Sequence, residues 1–215
     1  MKIIDVETWD RKVPYENFIN YTNPVFSLAA PVDVTKLYAY GKSGGTSFFA
    51  NFLYVVTRSI NETEPMRIRI RDDKPVLFDK INASFIVMND IGVISTCRVG
   101  YDKSYKKFYR GVMAGIESTR KSRQQVFDDP DKNDLIYVSA IKWLDFTSFS
   151  NPYDFKDQAR SSIPRVTWGK IKEADNKKFV TLDIAAHHAL VDGYPVALVF
   201  DKISKYIDDM SFTEE

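Results

Sequence analysis

The sequence predicts one α+β domain over residues 1–215, in which a mixed β-sheet is flanked by helices. The run 179–188 places apolar residues at alternate positions, as a strand with one buried face does. Two other stretches, 48–60 and 105–116, repeat apolar residues every three or four positions, as amphipathic helices do. No repeat, low-complexity tract or linker divides the chain, and 215 residues are enough to bury one large core.

The charge, the N-terminal sequence and the cysteine count exclude several classes of protein. The net charge is +1 and the basic residues are scattered, so nothing indicates a nucleic-acid or membrane partner. The N-terminus lacks an apolar signal core, and no apolar run is long enough to span a bilayer. Cys97 is the only cysteine, which rules out an internal disulfide and suits a reducing compartment. We therefore expect a cytoplasmic protein without a metal site, in which Cys97 packs in the core.

The first half of the chain alternates short strands with helices, delimited by capping and turn residues. The predicted elements are, in order, a strand-like piece at 3–6, a short helix capped by Thr8 or Asp10, a helix or loop at 13–22, a strand at 25–29, a loop at 44–46 whose Thr46 caps a helix ending near Asn61, and a β-hairpin at 66–78 that turns at Asp72-Asp73.

The second half of the chain holds most of the predicted sheet. The predicted elements are strands within 84–98 around Asn89-Asp90, a helix of about 20 residues from Tyr105, a polar loop at 128–134, strands at 135–141 and 164–171, a hairpin turn at 172–178, the central strand at 179–188, and a last helix whose first residue is Pro195.

The two histidines of the chain are neighbours at the end of the predicted central strand. His188 shares its parity with the apolar residues, so a strand would place it on the apolar face. A histidine, with a reference pKa near 6.5, can act there as a general base near neutral pH. A histidine that ends a strand is also often a packed structural residue, and both interpretations stay open on this pattern alone.

Seven short motifs, in the same order, resemble the chloramphenicol acetyltransferase family, and the similarity runs nearly end to end. They are the segments 9–12 (WDRK), 26–28 (FSL), 67–73 (RIRIRDD), 139–143 (SAIKW), 146–149 (FTSF), 164–170 (PRVTWGK) and 187–193 (HHALVDG).

The resemblance implies an acyltransferase fold and a homotrimer whose active sites lie between subunits. It implies that His188 is the general base, taking a proton from an acceptor hydroxyl as that oxygen attacks the thioester carbonyl of acetyl-CoA. The attack is direct, so no acyl-enzyme is required. By the same resemblance, the Ser148 hydroxyl bonds the tetrahedral oxyanion, Thr167 contacts the intermediate through water, and Lys170 is a contact for CoA phosphate.

Asp192 has two possible partners. A contact with His188 four residues earlier is sterically possible and would orient the imidazole. The family instead pairs this aspartate with an N-terminal arginine, here Arg11, and we favour that salt bridge because the WDRK motif places Arg11.

The sequence departs from the family at the acceptor pocket and at the CoA site. Pro24-Val25 stands where the chloramphenicol enzymes have Cys-Gly, immediately before Phe26 in the pocket wall, and this changes backbone freedom and shape. Ser47 and Ala50 occupy the positions of a family lysine and proline, and Lys42 is close enough to substitute. We therefore expect a small-molecule alcohol, chloramphenicol or another, as acceptor.

Two further functions are compatible with the motifs. A dihydrolipoyl acyltransferase core shares the His-x-x-x-Asp-Gly signature, but the chain shows no lipoyl domain or flexible linker. The second alternative is a trimeric homologue that binds a ligand without catalysing a reaction. The joint presence of His188, Ser148 and Thr167 weighs against this alternative.

Overall fold

A computed structural model describes residues 1–122, 125–127 and 132–214. The strands are β1 (Lys2–Ile3), β2 (Val25–Asp33), β3 (Ile68–Arg71), β4 (Lys74–Leu77), β5 (Asn82–Met88), β6 (Ile94–Val99), β7 (Leu135–Ala140), β8 (Arg165–Trp168), β9 (Lys172–Ala174) and β10 (Lys177–His187). The helices are α1 (Lys12–Phe18), α2 (Thr35–Gly44), α3 (Phe48–Asn61), α4 (Tyr105–Lys121), α5 (Gln158–Ser161) and α6 (Gly193–Asp209). Residues 128–131 of the predicted loop at 128–134 lie outside the described residues.

The larger sheet has the strand order β2-β10-β8-β7-β5-β6, with β9 paired to β10. β7 runs parallel to both β5 and β8, whereas the other pairs of this sheet are antiparallel. The predicted mixed sheet flanked by helices is confirmed. A smaller sheet, β1-β4-β3, contains the predicted hairpin, whose turn residues Asp72 and Asp73 have positive φ.

β10 lies between β2 and β8 and positions most of the candidate site. It pairs with β2 from Phe179 to His187 and with β8 from Leu182 to Ala185. Its even-numbered residues from Val180 to Ala186 belong to the main core, together with residues of α3, α4 and α6. Cys97 on β6 is buried in the same core, as predicted.

The opposite face of β10 is also buried, which alternation alone did not predict. Asp183 is fully buried on this face, and Thr181, Ala185 and His187 are buried beside it. The segment 149–155 covers part of this face, because Phe149, Tyr153 and Phe155 line a cavity together with Ala185. The residues of this face belong to the candidate site.

Several predicted boundaries are wrong at helix starts. α1 begins at Lys12 with Arg11 as N-cap, rather than after Thr8 or Asp10. α3 is capped by Ser47, whose hydroxyl accepts from the Ala50 N–H at 3.4 Å. Thr46 instead accepts from the side-chain amide of Asn51 at 2.9 Å.

Other predicted elements also differ from the structure in where they begin or end. The predicted strand at 3–6 ends at Ile3, and that at 164–171 is confined to β8. α2 was not predicted, because only Leu37 and Gly41 of this helix are buried and its apolar stripe is weak. α6 begins at Gly193, so Pro195 is its third residue and Asp192 its N-cap.

Candidate active site

Arg11 ties the start of α1 to the turn that follows β10. Its Nη1 and Nη2 donate to the two carboxylate oxygens of Asp192, with 2.7 Å between Nη2 and Oδ1. The guanidinium also donates to the carbonyls of His188 at 2.6 Å and Ala189 at 2.9 Å. The hydrogen bonds from Arg11 lower the pKa of Asp192, so this carboxylate is ionised near neutral pH.

His188 is the first residue after β10, so the prediction that it belongs to the strand is wrong. Its N–H still donates to the Pro24 carbonyl at 2.7 Å, which anchors the backbone beside β2. Its ring leaves the strand face and stacks on Phe18 of α1, with centroids 4.0 Å apart and planes 7° from parallel. Phe26 contacts the ring from another side, at 4.8 Å. The imidazole is therefore held between α1 and β2.

The ring nitrogen of His188 nearest to Asp192 is Nδ1, which lies 3.3 Å from Oδ1. This Nδ1 is buried and makes no hydrogen bond, whereas Arg11 makes two to the same carboxylate. The His188 side chain as a whole is 35% exposed, so the ring reaches the surface.

His187, in contrast to His188, is enclosed by the protein. It is only 1% exposed, and its Nδ1 accepts from the Ala189 N–H at 3.3 Å. Burial lowers the pKa of His187 to about 4, with a smaller contribution from His188, so this ring is neutral at physiological pH. His187 stabilises the turn that carries His188 and Asp192.

Thr167 lies on β8, and Ser148 lies in the loop that follows β7. Thr167 is fully buried on the sheet face opposite the helices, and its hydroxyl has no hydrogen-bond partner. Ser148 is exposed in the loop after β7. That loop is held against β8, because the Lys170 N–H donates to the Leu144 carbonyl at 2.9 Å and the ring of Phe146 lies beside Gly169.

Within one chain, Thr167 is separated from His188 along the sheet. Thr167 pairs across the sheet with Asp183, and the four strand steps from Asp183 to His187, which precedes His188, span about 13 Å. Ser148 lies in the loop between Phe146, whose ring is beside Gly169, and Phe149, which lines a cavity with Val25 and Phe26. The structure therefore brings Arg11, Asp192 and His188 together at the end of β10 and leaves Thr167 farther back along the sheet.

Lys170 lines a cavity of about 860 Å³ between β8, α3 and the β9–β10 hairpin. Lys142, Lys172 and Lys178 line the same cavity. The Nζ atoms of Lys178 and Lys42 lie 4.7 and 5.5 Å from the ring centre of Tyr38, a further lining residue. Basic side chains thus surround the predicted CoA contact, although Asp145 and Glu173 also line the cavity.

The predicted acceptor-pocket residues lie close to His188. Pro24 is buried and its carbonyl holds the His188 N–H. Val25 and Phe26 line a cavity of about 230 Å³ together with the segment 149–155. The sequence analysis did not identify Phe18 as a site residue. The stretch 13–22 is rich in aromatic residues, but nothing in it indicated that the Phe18 ring would stack on His188.

The strand order and the flanking helices define the acyltransferase fold. A solved dihydrolipoamide acetyltransferase of Azotobacter vinelandii shares this fold with a TM-score of 0.68, over 94% of this chain and 88% of that one, at 14% identity. A solved chloramphenicol acetyltransferase matches with a TM-score of 0.84 and 27% identity, over 96% of this chain and 99% of that one.

The sequence comparisons define the family within that class. The family profile described as chloramphenicol acetyltransferase matches residues 1–204. Chloramphenicol acetyltransferases of Clostridium perfringens and Proteus mirabilis are 28% and 25% identical, over 93% and 96% of this chain and 91% and 94% of the relatives. The chain belongs to the chloramphenicol acetyltransferase family.

No described helix combines the length and apolar character needed to cross a membrane. No group of three or more His, Cys, Asp or Glu residues in the described part of the chain is placed to hold a metal ion.

Proposed function

We propose that the protein is an O-acetyltransferase that moves the acetyl group of acetyl-CoA to a hydroxyl of a small molecule. The observation that supports this best is the contrast between the adjacent histidines. His187 is buried and neutral, whereas His188 reaches the surface with its ring held by Phe18 and Phe26. A general base needs a fixed ring and a free nitrogen, and His188 has both. Its Nδ1 is buried beside Asp192, which leaves Nε2 to accept a substrate proton.

His188 acts as base in the first step and as acid in the second. Nε2 takes the proton of the acceptor hydroxyl while the oxygen attacks the thioester carbonyl carbon. The Ser148 hydroxyl donates to the oxyanion that develops, and Thr167 supports the intermediate through water. When the carbon–sulfur bond breaks, protonated His188 returns the proton to the CoA sulfur, so the products are the ester and free CoA. Asp192, held ionised by Arg11, keeps the turn of His188 in place.

The active site forms between two subunits of a homotrimer. Within one chain, Thr167 lies about 13 Å along β10 from the end that carries His188. His188 of one subunit therefore acts with Ser148 and Thr167 of the next, which a closed ring of three subunits permits.

CoA phosphates bind at the lysine-lined cavity beside Lys170. Four lysines line this cavity, and Lys42 lies near them over Tyr38, so positive charge persists although Ser47 replaces the family lysine. Because acetyl-CoA is the donor, we place the reaction in the cytoplasm. The acceptor pocket includes Pro24, Val25 and Phe26; chloramphenicol is one candidate acceptor among hydroxylated antibiotics and metabolites.

The test is a thiol-release assay with acetyl-CoA and a panel of these alcohols. We expect His188→Ala to lower turnover by about 10²–10⁴ while acetyl-CoA binding is retained, because general-base assistance is of that size. His187→Asn is the matched control, because its amide oxygen can replace Nδ1 as acceptor for the Ala189 N–H. A loss below tenfold in His188→Ala would overturn the proposed role. Acetyl-CoA binding without transfer to any alcohol would favour the non-catalytic binding homologue.

A further inference from the structure

Arg165 is a charged residue on the sheet face opposite the helices that the proposed reaction does not use. It precedes Thr167 by two residues on β8, so their side chains share a face and their Cα atoms are about 7 Å apart. Arg165 pairs across the sheet with Tyr137, as Thr167 pairs with Ser139. A ligand that contacts Arg165 is therefore within reach of the Thr167 region.

The guanidinium of Arg165 is fixed by aromatic rings and not by a carboxylate. Its central carbon lies 3.8 Å from the ring centre of Tyr153 and 5.9 Å from that of Tyr137. Its Nε is buried without a hydrogen-bond partner. No described carboxylate lies within ion-pair distance of it. Tyr153 covers a face of the planar group, so the N–H edges remain for a ligand.

Two further hydrogen-bond donors near Arg165 are buried without a partner. The Asn151 Nδ2 and the Tyr153 hydroxyl are buried and unbonded, like the Arg165 Nε. The buried carboxyl of Asp183, on the neighbouring strand β10, makes no hydrogen bond to any of the three, and burial raises its pKa against an opposing contribution from Ser27. Buried donors are normally satisfied, so an acceptor-rich ligand is the expected partner of this group.

Asn151, Tyr153 and Arg165 line a cavity of about 570 Å³, a volume within the usual range for small-molecule sites. Ile86 and Phe127 add apolar surface to it. Two further charged residues line the cavity and already have partners. Arg160 lies 3.8 Å from Asp157, and Asp154 accepts from the Lys156 N–H at 3.1 Å.

We propose that the acceptor alcohol carries a carboxylate, which binds the free edge of Arg165 together with Asn151 and Tyr153. A carboxylate is planar and acceptor-only, and it matches the fork of a guanidinium better than a neutral group does. This inference rests on the proposed function, because it assigns the class of the acceptor. Asn151 and Tyr153 line both this cavity and the one beside Val25 and Phe26, so the two cavities are neighbours. It predicts that the acceptor alcohol is an acid, whereas chloramphenicol is a neutral molecule.

The experiment compares 4-(hydroxymethyl)benzoate with 4-(hydroxymethyl)benzamide, which have nearly the same shape and differ in charge. Binding is measured by calorimetry on the intact protein in the His188→Ala background, where turnover cannot consume the ligand. We expect the acid to bind at least about tenfold more tightly than the amide, as charge-assisted hydrogen bonds are stronger than neutral ones. Arg165→Gln should remove that preference and leave the affinity for the amide unchanged.

Arg71→Gln is the matched control, because it removes one positive charge from an exposed position on the hairpin. It should leave the preference for the acid intact, and thermal unfolding of each variant checks that it folds. Equal binding of acid and amide, or a preference that persists in Arg165→Gln, would overturn the inference. If the acid binds through Arg165 but the enzyme with native His188 transfers no acetyl group to any alcohol, the anion site stands and the proposed function fails.

Discussion

At the scale of single residues, the two adjacent histidines differ because β10 ends between them. His187 is the last residue of the strand and is enclosed, so its charged form is destabilised. His188 is the next residue, and its ring turns onto Phe18. One position along the chain thus separates a structural imidazole from a candidate base.

The low pKa of His187 predicts a specific acid sensitivity. The unfolded pKa is near 6.5 and the folded pKa is about 4, so unfolded chains bind the proton more readily between these values. The contribution to stability is complete above pH 6.5 and is lost as the pH falls towards 4, by roughly 3 kcal/mol in total. Urea unfolding at pH 7.5 and 4.5 measures the free energy of unfolding. Its difference between the two pH values should be smaller in His187→Asn than in the unmodified protein, and an equal difference would contradict this assignment.

The bonds of Arg11 predict non-additive losses of activity. Asp192→Ala removes one partner of the guanidinium, whereas Arg11→Ala also leaves the carbonyls of His188 and Ala189 without that donor. We expect Arg11→Ala to have the larger effect on kcat/KM, about tenfold or more, and the double variant to match it. Steady-state kinetics of the three variants measure this. A double variant that shows the product of the single losses would place Asp192 in a separate role, such as direct contact with His188.

At the scale of elements, the candidate site depends on how one helix and one loop are attached. α1 brings Arg11 and Phe18 to the same turn from opposite ends of a seven-residue helix. The loop of Ser148 is attached to β8 through the Leu144 carbonyl and the ring of Phe146, both of which approach Gly169.

Gly169→Ala tests that loop attachment. A Cβ at this position would lie 3.0 Å from the Leu144 carbonyl oxygen and 3.3 Å from the Phe146 ring, so the loop must shift. We expect a loss of stability of about 1–3 kcal/mol, typical of overpacking, and a lower kcat. Gly44→Ala is the control, since its nearest neighbour would be 4.0 Å away. Unchanged kcat in Gly169→Ala would show that Ser148 does not need this attachment.

At the scale of the whole molecule, the proposed site combines residues of two subunits. In this proposal His188 of one subunit acts with Ser148 and Thr167 of the next, because Thr167 of its own chain lies about 13 Å away along β10. Such a shared site would make activity a property of the assembly.

Subunit complementation tests this arrangement. His188→Ala and Ser148→Ala should each be nearly inactive as homotrimers, while co-expression of the two should restore activity. With random mixing in a closed ring, about a quarter of the sites combine an intact His188 with an intact Ser148 from the next subunit. Light scattering should give a trimer for all three preparations. A mixture as inactive as its components would place the site within one chain, and a monomer that retains transfer would exclude the trimer requirement.

The sequence by itself determined the fold class, the family and the residues proposed for the site. Local periodicity reports which side of an element is buried, so the core side of β10 and the helices α3 and α4 were predictable. The motif HHALVDG indicated His188 and Asp192 as candidates, and the motif WDRK indicated Arg11.

Only the tertiary structure decided how these residues meet. Arg11 and Asp192 are 181 positions apart, and the stacking of Phe18 on His188 depends on where α1 lies against β2. The burial of both faces of β10 depends on the crossing of segment 149–155. No local pattern encodes such contacts, because they arise from the packing of distant elements. The same holds for Arg165, whose lack of a carboxylate partner among the described residues is visible only once its neighbours in space are known.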